Sequence, residues 1–561
     1  MKLSSIPQIY RHVGRWYEIV AVLSKYELAN WIGRLGPDFA KDLLKARGGT
    51  PIARHPWETR LRLAMAELGP TFVKLGQALS TRPDLVGVKL ADELQQLQDR
   101  VPADPPEVVR KLIQAELGRP VEELFAEFDP TAMASASIGQ VHRARLHSGE
   151  QVAVKVVHAD VENKVAVDMD ILSGMAQLAE LVPEFRNYRP AAIVAELQRM
   201  MRRELDLGRE ERNIQQFTAD FRDEPTVCIP RPYSELSSRR VLTMEFLDGP
   251  KLSEAARLAA MKVDLDEVAR RGANICLEMI FDHGFYHADP HPGNIVVLDH
   301  CRIGLLDFGM VGRIDERLHE DVAEILVALG NLDAEHMTSM ILRVGKTPPN
   351  LDRSALSLDV ADFLSYYGSQ SLDRFDLSGA LREMMEHIRR YSIMLPARIA
   401  MLLKALITLE GTTRLVSPKF SLVEIMQPYR KKMMLRRFSP RRHFRKLHRL
   451  YSELEHLLDI LPRGLGDILE QMQGGRFDIH LDHRGLEPSV NRLVLGMLTS
   501  ALFLGSTLLL SHSVPPLIDL PPLLPKVSSL GCAGYVLSLA LGLRLLRAIN
   551  KSGHLDRRRK D

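Results

Sequence analysis

Two stretches near the C-terminus carry almost no charge. Leu493 to Ser511 is 19 residues without Asp, Glu, Lys or Arg, and Val527 to Leu543 is a further 17 before Arg544 interrupts the apolar continuation LLRAI. Hydrocarbon offers the backbone no hydrogen-bond partner, so a segment that crosses it must be a helix or part of a closed barrel. The first stretch is about long enough to span as a helix, and the second becomes so when Arg544 reaches the interface. The alternative is a pair of buried soluble helices. Between them lies SHSVPPLIDLPPLLPK, a proline-broken turn, and after them come Arg544, Arg547, Lys551, Arg557, Arg558, Arg559 and Lys560. The positive-inside rule puts that tail in the cytoplasm, and two spans return the chain to the side on which it began. Small residues repeat at four-residue spacing, Gly496 with Ser500 and Ala501 with Gly505 in the first span, Gly534, Ser538 and Gly542 in the second. That spacing permits close packing in lipid, either on the other span or on another subunit.

The rest of the 561 residues reads as globular, with 45% apolar and 26% charged residues overall. A net charge of +3 gives no argument for nucleic acid as the main partner. Cys228, Cys276, Cys301 and Cys532 are scattered, which argues against a disulfide framework or a zinc site. The first twenty residues include Glu18 and lack the apolar run of a signal peptide. A dense basic run, Arg430, Lys431, Lys432, Arg436, Arg437, Arg441, Arg442, Arg445, Lys446 and Arg449, precedes the spans. It reads either as a solvated helix face or as a surface for anionic lipid headgroups, and its position beside the spans favours lipid. No stacking platform accompanies it, as nucleic-acid binding would need.

Residues 1–125 carry apolar spacings of three and four and are expected to be helical. From about 130 the pattern changes to short alternating runs, ASIGQVHRARL, QVAVKVVH and RRVLTMEFLDG, with helical patterns over about 161–182 and 190–219 between the last two. After 250 the chain is mostly helical, with a strand pair around NIVVLDHCRIGLLDFG. The expected fold class is α+β. The expected divisions are a helical extension (1–125), a strand-rich and then helical domain (126–425), a basic juxtamembrane region (426–490), two spans (491–550) and a basic tail (551–561).

Three motifs in the second division carry chemistry. HADPHPGN at 287–294 has the outline His-x-Asp-x-x-x-x-Asn, DFG stands at Asp307 to Gly309, and VAVK ends at Lys155 in a strand-type context. Their order is that of a phosphoryl-transfer site of the protein-kinase kind. In such a site Lys155 would neutralise charge on the α- and β-phosphates of ATP, and Asn294 and Asp307 would supply oxygen ligands to Mg2+. Asp289 would orient or deprotonate the attacking hydroxyl or water. Backbone groups from Glu245 to Leu247, where LTMEFLDG leaves the strands, would bind adenine. A metal-hydrolase reading of His287, Asp289 and His291 rests on their alternation along a strand, and it leaves VAVK and DFG unexplained.

The departures are informative. Ala288 stands where a protein kinase has Arg. In place of a glycine-rich phosphate loop the chain has Ala134, Ser135, Ala136, Ser137, Ile138 and Gly139. Side chains there stiffen the loop and alter the nucleotide pose. No A-P-E segment follows DFG.

KLGQ at Lys74 to Gln77, ASASIGQVH, VAVK, ELDLGREERN at 204–213, and HADPHPGN with DFG together resemble the UbiB/AarF family of atypical kinases, over roughly residues 60–420. The resemblance implies a two-lobed protein-kinase-like fold with an N-terminal helical extension and a C-terminal transmembrane hairpin. It implies that Lys74 and Gln77 lie over the active site where a protein substrate would dock, that Glu204 and Asp206 form a regulatory motif, and that Glu210 pairs with Lys155, with Glu211 beside it where small residues are usual. It further implies ATP and Mg2+ as cofactors and support of ubiquinone or related isoprenoid quinone biosynthesis at the bacterial inner membrane. The implied partners are membrane lipids and quinone precursors or the enzymes that make them, with a homodimer left open. The rival expectations are a small-molecule kinase, since D-x-H-P-G-N also resembles aminoglycoside and choline kinases, and a nucleotide-binding scaffold without turnover.

Overall fold

In the computed structural model, the described residues are 12–28, 55–97, 101–180, 189–370, 375–437, 486–512, 514, 515, 517–520 and 524–551. The chain divides into two compact units, residues 1–443 and 444–561. In the first, the N-terminal extension contributes helices α1 (Val13–Lys25), α2 (Trp57–Leu68), α3 (Pro70–Ser80), α4 (Val88–Gln95) and α5 (Pro106–Leu117). Trp16, Ile19 and Val20 on α1 recur at spacings of three and four and are buried. Arg15 ties the helix down by pairing with the buried Asp168 at 2.7 Å.

Strands β1 (Glu127–Phe128), β2 (Ala134–Ser135), β3 (Gly139–Arg145), β4 (Gln151–Val157) and β6 (Val241–Glu245) form one antiparallel sheet in the order β1-β3-β4-β6, with β2 also on β3. Alternation along β4 separates two faces. Val152, Val154 and Val156 pack with Val109, Leu112 and Ile113 of α5. Ala153 and Val157 join the opposite core, and Lys155 shares their face.

Between β4 and β6 run α6 (Val161–Ala179), α7 (Pro190–Glu204), α8 (Leu207–Asp220) and the short strand β5 (Val227–Cys228). The single helix expected over 190–219 is broken at Leu205 and Asp206. There Asp206 leaves helical geometry (φ −109°, ψ 89°) and the Leu207 N–H donates to the Arg239 carbonyl, so α8 starts afresh. On α8 the buried residues Leu207, Glu210, Ile214 and Phe217 form one stripe at helical spacing.

The remainder is mostly helical, as the sequence suggests. Helix α9 (Leu265–Glu278) leads into β7 (Phe285–His287), which pairs with β10 (Val311–Arg313), and β8 (Ile295–Leu298) forms a hairpin with β9 (Arg302–Leu305). A Cβ on Gly312 would lie 2.1 Å from the Tyr286 ring, so only glycine permits that strand pair. Helices α10 (Glu316–Gly330), α11 (Ala334–Val344), α12 (Arg353–Gly368) and α13 (Leu377–Arg390) each start on an Asp that accepts a backbone N–H: Asp315, Asp333, Asp352 and Asp376. Helices α14 (Ala397–Val416) and α15 (Leu422–Arg437) complete the unit.

The second unit contains α16 (Leu486–Ser511), the strands β11 (Leu517–Leu520) and β12 (Leu524–Ser528), and α17 (Ser529–Lys551). The helices are long and apolar enough to cross a membrane over Leu493–Ser511 and Ser529–Arg547. They pack antiparallel: Gly531 meets Leu510, Gly534 meets Ser506 and Gly542 meets Thr499. The small residues of α17 therefore face α16, while Gly505 meets nothing. Leu493, Leu504, Val536 and Leu546 are 60% or more exposed, an apolar outer face that water would not favour and lipid would. Arg441, Arg442, Arg445, Lys446 and Arg449 of the basic run, and Arg557 to Lys560 of the tail, lie outside the described residues.

Candidate active site

Lys155 projects from the middle of β4 toward α8. Its Nζ lies 2.9 and 2.7 Å from the two carboxylate oxygens of Glu210 and 3.3 Å from Asp307 Oδ1. Helical phase decides which glutamate this is. Glu210 lies on the buried stripe of α8, whereas Glu211 points outward to Gln215 and Ser234. Burial pulls the Lys155 ammonium down, but Asp307 and Glu210 outweigh it and raise it above its ordinary value. Burial pushes the Glu210 carboxyl up, against the pull of Lys155. Asp307 keeps 54% of its side-chain surface open, and the charge of Lys155, with a smaller contribution from Lys74, holds it well below the usual carboxylate range.

The DFG backbone is fixed by the same helix. Glu210 accepts the Phe308 N–H at 3.1 Å, and Asn213, one turn along α8, donates to the Phe308 carbonyl at 2.9 Å. The Phe308 ring is buried between Phe217 and His287. Asp307 itself has φ +56°, a left-handed conformation that costs a residue with a Cβ about 1–2 kcal/mol. These bonds on either side of Phe308 hold that conformation in place.

The HADPHPGN loop is organised by its histidines. His287 Nδ1 accepts the Asp289 N–H at 3.2 Å and its Nε2 faces the Leu306 carbonyl at 3.0 Å. Both ring nitrogens are engaged, so the metal-hydrolase reading of His287, Asp289 and His291 loses its first ligand. His291 Nδ1 accepts the Gly293 N–H at 2.9 Å. Asn294 donates its side-chain NH2 to the Asp289 carbonyl at 3.2 Å, and its own carbonyl accepts the Leu306 N–H, which places it beside Asp307. Asp289 Oδ1 lies 3.4 Å from Lys404 of α14.

The Ala/Ser loop turns tightly, with the Ala136 N–H on the Gly139 carbonyl at 2.8 Å. A Cβ on Gly139 would lie 2.6 Å from the Val156 carbonyl oxygen, so that position must be glycine. Ser135 pairs with Gln140 across β2 and β3, Ser137 is fully buried, and Ile138 is 8% exposed. His158, just past β4, pins the loop. Its Nε2 contacts the Ala136 carbonyl at 2.9 Å and the Ser135 hydroxyl at 3.4 Å, and its Nδ1 lies 3.1 Å from Asp104 in the VPADPP segment. At the edge of the sheet, the Glu245 N–H is committed to Arg231 and the Phe246 N–H to Gln151. Leu247 is then the residue of this stretch whose amide has no acceptor among the described residues.

Lys74 of KLGQ forms an ion pair with Glu204 at 3.1 Å, an electrostatic contact without hydrogen-bond alignment. The structure thus joins one residue of KxGQ to one of ExD. Gln77 reaches the Leu97 carbonyl, and Asp206, at the start of α8, lies 3.9 Å from Arg212. Asn213, Lys404, Asp104 and His158 were not singled out by sequence. Asn213 had a signal, since it lies one helical turn from Glu210. Lys404 had one too, as a lone cation in the apolar run IAMLLKALITL. Asp104 and His158 had none.

Three family models match the chain: the ABC1 atypical kinase-like domain over residues 96–341, the UbiB helical domain over 360–421, and the ABC1/UbiB kinase-like C-terminal domain over 479–551. A protein of Xanthomonas campestris pv. campestris named "Probable protein kinase UbiB" is 31% identical over 89% of this chain and 91% of its own length. An uncharacterized protein from the hydrogenase 1 5' region of Clostridium pasteurianum is 30% identical over 88% of this chain and 93% of its own length. With an uncharacterized Synechocystis protein the match is 31% identical over 75% of this chain and spans 60% of the relative. A Mycobacterium tuberculosis protein solved as a complex with erythromycin aligns with TM-score 0.45 at 21% identity, over 63% of this chain and 90% of that one.

Proposed function

The chain belongs to the ABC1/UbiB family of atypical kinase-like proteins, and from that premise we propose that it is a membrane-anchored, ATP-consuming enzyme that supports biosynthesis of ubiquinone or a related isoprenoid quinone. The observation that carries the reading is the convergence of Lys155, Glu210 and Asp307, with Lys155 2.7 Å from Glu210 and 3.3 Å from Asp307. Three motifs far apart in the chain meet as phosphoryl transfer from ATP requires.

Each residue then has a task. Lys155, held by Glu210, binds the α- and β-phosphates. The Ala/Ser loop from Ala134 to Gly139 covers the nucleotide, and the backbone of Glu245 and Leu247 meets the base. The donors present suit a hard divalent cation: the Asp307 carboxylate keeps 54% of its side-chain surface open, and the Asn294 NH2, bonded to the Asp289 carbonyl, leaves Oδ1 as the acceptor end of that amide. Bound Mg2+ with ATP would supply charge neutralisation and the transferable phosphoryl group. Asp289 orients or deprotonates the hydroxyl or water that receives it. Lys74 and Glu204 stand at the side of the cleft where an acceptor approaches, in a two-lobed arrangement.

The name UbiB borne by relatives, the apolar hairpin and the basic run support a site at the bacterial inner membrane, with the kinase-like part in the cytoplasm. An acceptor with a polar head on an isoprenoid tail would be reached there. The test is phosphate release by the full chain in lipid with Mg-ATP. Asp307→Asn should abolish it. Release unaffected by Asp307→Asn would sink the enzymatic reading, and nucleotide binding with no release in the wild type would favour a scaffold.

A further inference from the structure

Helix α14 reads ARIAMLLKALITLEGTTRLV, and Lys404 is the only Lys among these residues. Lysine is seldom buried without a partner, yet the Lys404 side chain is only 13% exposed. Its Nζ stands 3.4 Å from Asp289 Oδ1. The same helix grips the loop a second time, where Thr412 donates to the Pro290 carbonyl at 2.9 Å. Residues far downstream of HADPHPGN therefore set the place of its carboxylate.

The loop itself offers Asp289 little positive charge. Ala288 stands at the Arg position, and His291 places Nδ1 on the Gly293 amide with Nε2 3.8 Å from Asp289 Oδ2. Lys404 also borders a cavity of about 30 Å³, lined in addition by Asp92, Arg382, Ile407 and Thr408. That is room for one or two waters beside the lysine. Thr408, one turn along the helix, has a buried hydroxyl oxygen with no hydrogen-bond partner among the described residues.

We propose that Lys404 is a positioning residue for the phosphoryl-acceptor step: it holds the Asp289 carboxylate toward the acceptor oxygen and offsets the repulsion between that carboxylate and the phosphates. The inference rests on the phosphoryl-transfer reading above. A carboxylate facing a polyphosphate is pushed away by like charge, and a cation on its far side counters that push without occupying the acceptor's place. Misplacement of a reacting group by an ångström is enough to slow a reaction about a hundredfold.

The experiment uses the full chain in lipid vesicles and compares wild type, Lys404→Met, Lys404→Arg, Asp289→Asn and the Asp289→Asn/Lys404→Met double variant. Phosphate release gives kcat and KM for ATP, and the ATP-induced rise in melting temperature reports nucleotide binding and folding. Lys404→Met should lower kcat about tenfold or more with KM within about threefold and the ATP-induced rise retained. Lys404→Arg should restore most of the loss, and the double variant should be no slower than Asp289→Asn alone. Wild-type kcat in Lys404→Met overturns the proposal, as does further slowing by Lys404→Met when Asp289 is already Asn. Loss of the ATP-induced rise in both Lys404 variants overturns it as well, assigning the lysine to folding or nucleotide binding. If Asp307→Asn leaves release unchanged, the phosphoryl-transfer reading fails and takes this inference with it. If Asp307→Asn slows release and Lys404→Met does not, only this inference fails.

Discussion

Glu210 binds Lys155 through both carboxylate oxygens while one of them also accepts the Phe308 N–H. One side chain thus fixes the lysine of VAVK and the backbone of DFG together. Glu210→Gln should leave a buried ammonium with Asp307 as its remaining anionic partner. Removing one partner of a buried ion pair costs about 3 kcal/mol or more, and the remaining contact with Asp307 should keep the loss near the lower end. Turnover should fall at least about tenfold, because Lys155 would then occupy Asp307. Asn213→Ala should act in the same direction at about 1 kcal/mol, the worth of one hydrogen bond. Denaturation curves and phosphate release on the same samples check both, and wild-type behaviour of Glu210→Gln would exclude this coupling.

The Ala/Ser loop is held from outside by His158 and, behind it, Asp104. His158→Ala should free the Ala136 carbonyl and change the ratio of ATP to ADP affinity by about threefold or more, and Ala136→Gly, which relaxes the same turn, should also shift it. Titration with both nucleotides is the measurement. Equal affinities in wild type and both variants would mean the loop does not contact phosphates.

His142 is fully buried in β3, with Nδ1 at 2.8 Å from the Asp129 carbonyl and Nε2 at 2.7 Å from the Gln140 amide nitrogen. Burial lowers its pKa below the ordinary 6.5, against the pull of Asp129. The folded state then binds the proton less readily than the unfolded chain. Its contribution to stability is fully present above pH 6.5 and is lost as the pH falls below that value. Melting temperature should therefore drop between about pH 7.5 and pH 5.5, and His142→Asn should flatten part of that drop. An identical pH dependence in the variant would remove His142 from the account.

The antiparallel packing of α16 on α17 leaves an apolar outer face. The full chain should stay in the membrane fraction after a high-salt wash, and deletion of residues 491–561 should release it or leave an association that salt breaks. Release of the intact chain by salt alone would refute two inserted spans.

The residue chemistry of the site was legible in the sequence because few side chains can do these jobs. A lysine in a strand context, an Asp and Asn at fixed spacing, and DFG in the right order are constraints of composition and distance along the chain. The helix stripe through Leu207, Ile214 and Phe217 also selects Glu210 over Glu211, since 3.6 residues per turn is a local property. The break between α7 and α8 was not legible: it depends on the Arg239 carbonyl, just ahead of β6 and more than thirty residues downstream.

The sequence by itself determined the motifs, the strand-then-helix order and the two apolar runs, all of which follow from local periodicity and residue type. Only the tertiary structure decided that Lys74 meets Glu204, that Gln77 reaches the Leu97 carbonyl, that Asn213 holds Phe308, that His158 pins the Ala/Ser loop and that Lys404 faces Asp289. Each of those contacts depends on the relative rotation and approach of elements distant in the chain. A hydrogen bond or ion pair weakens within an ångström or so of misplacement, and no local pattern encodes an ångström across a cleft.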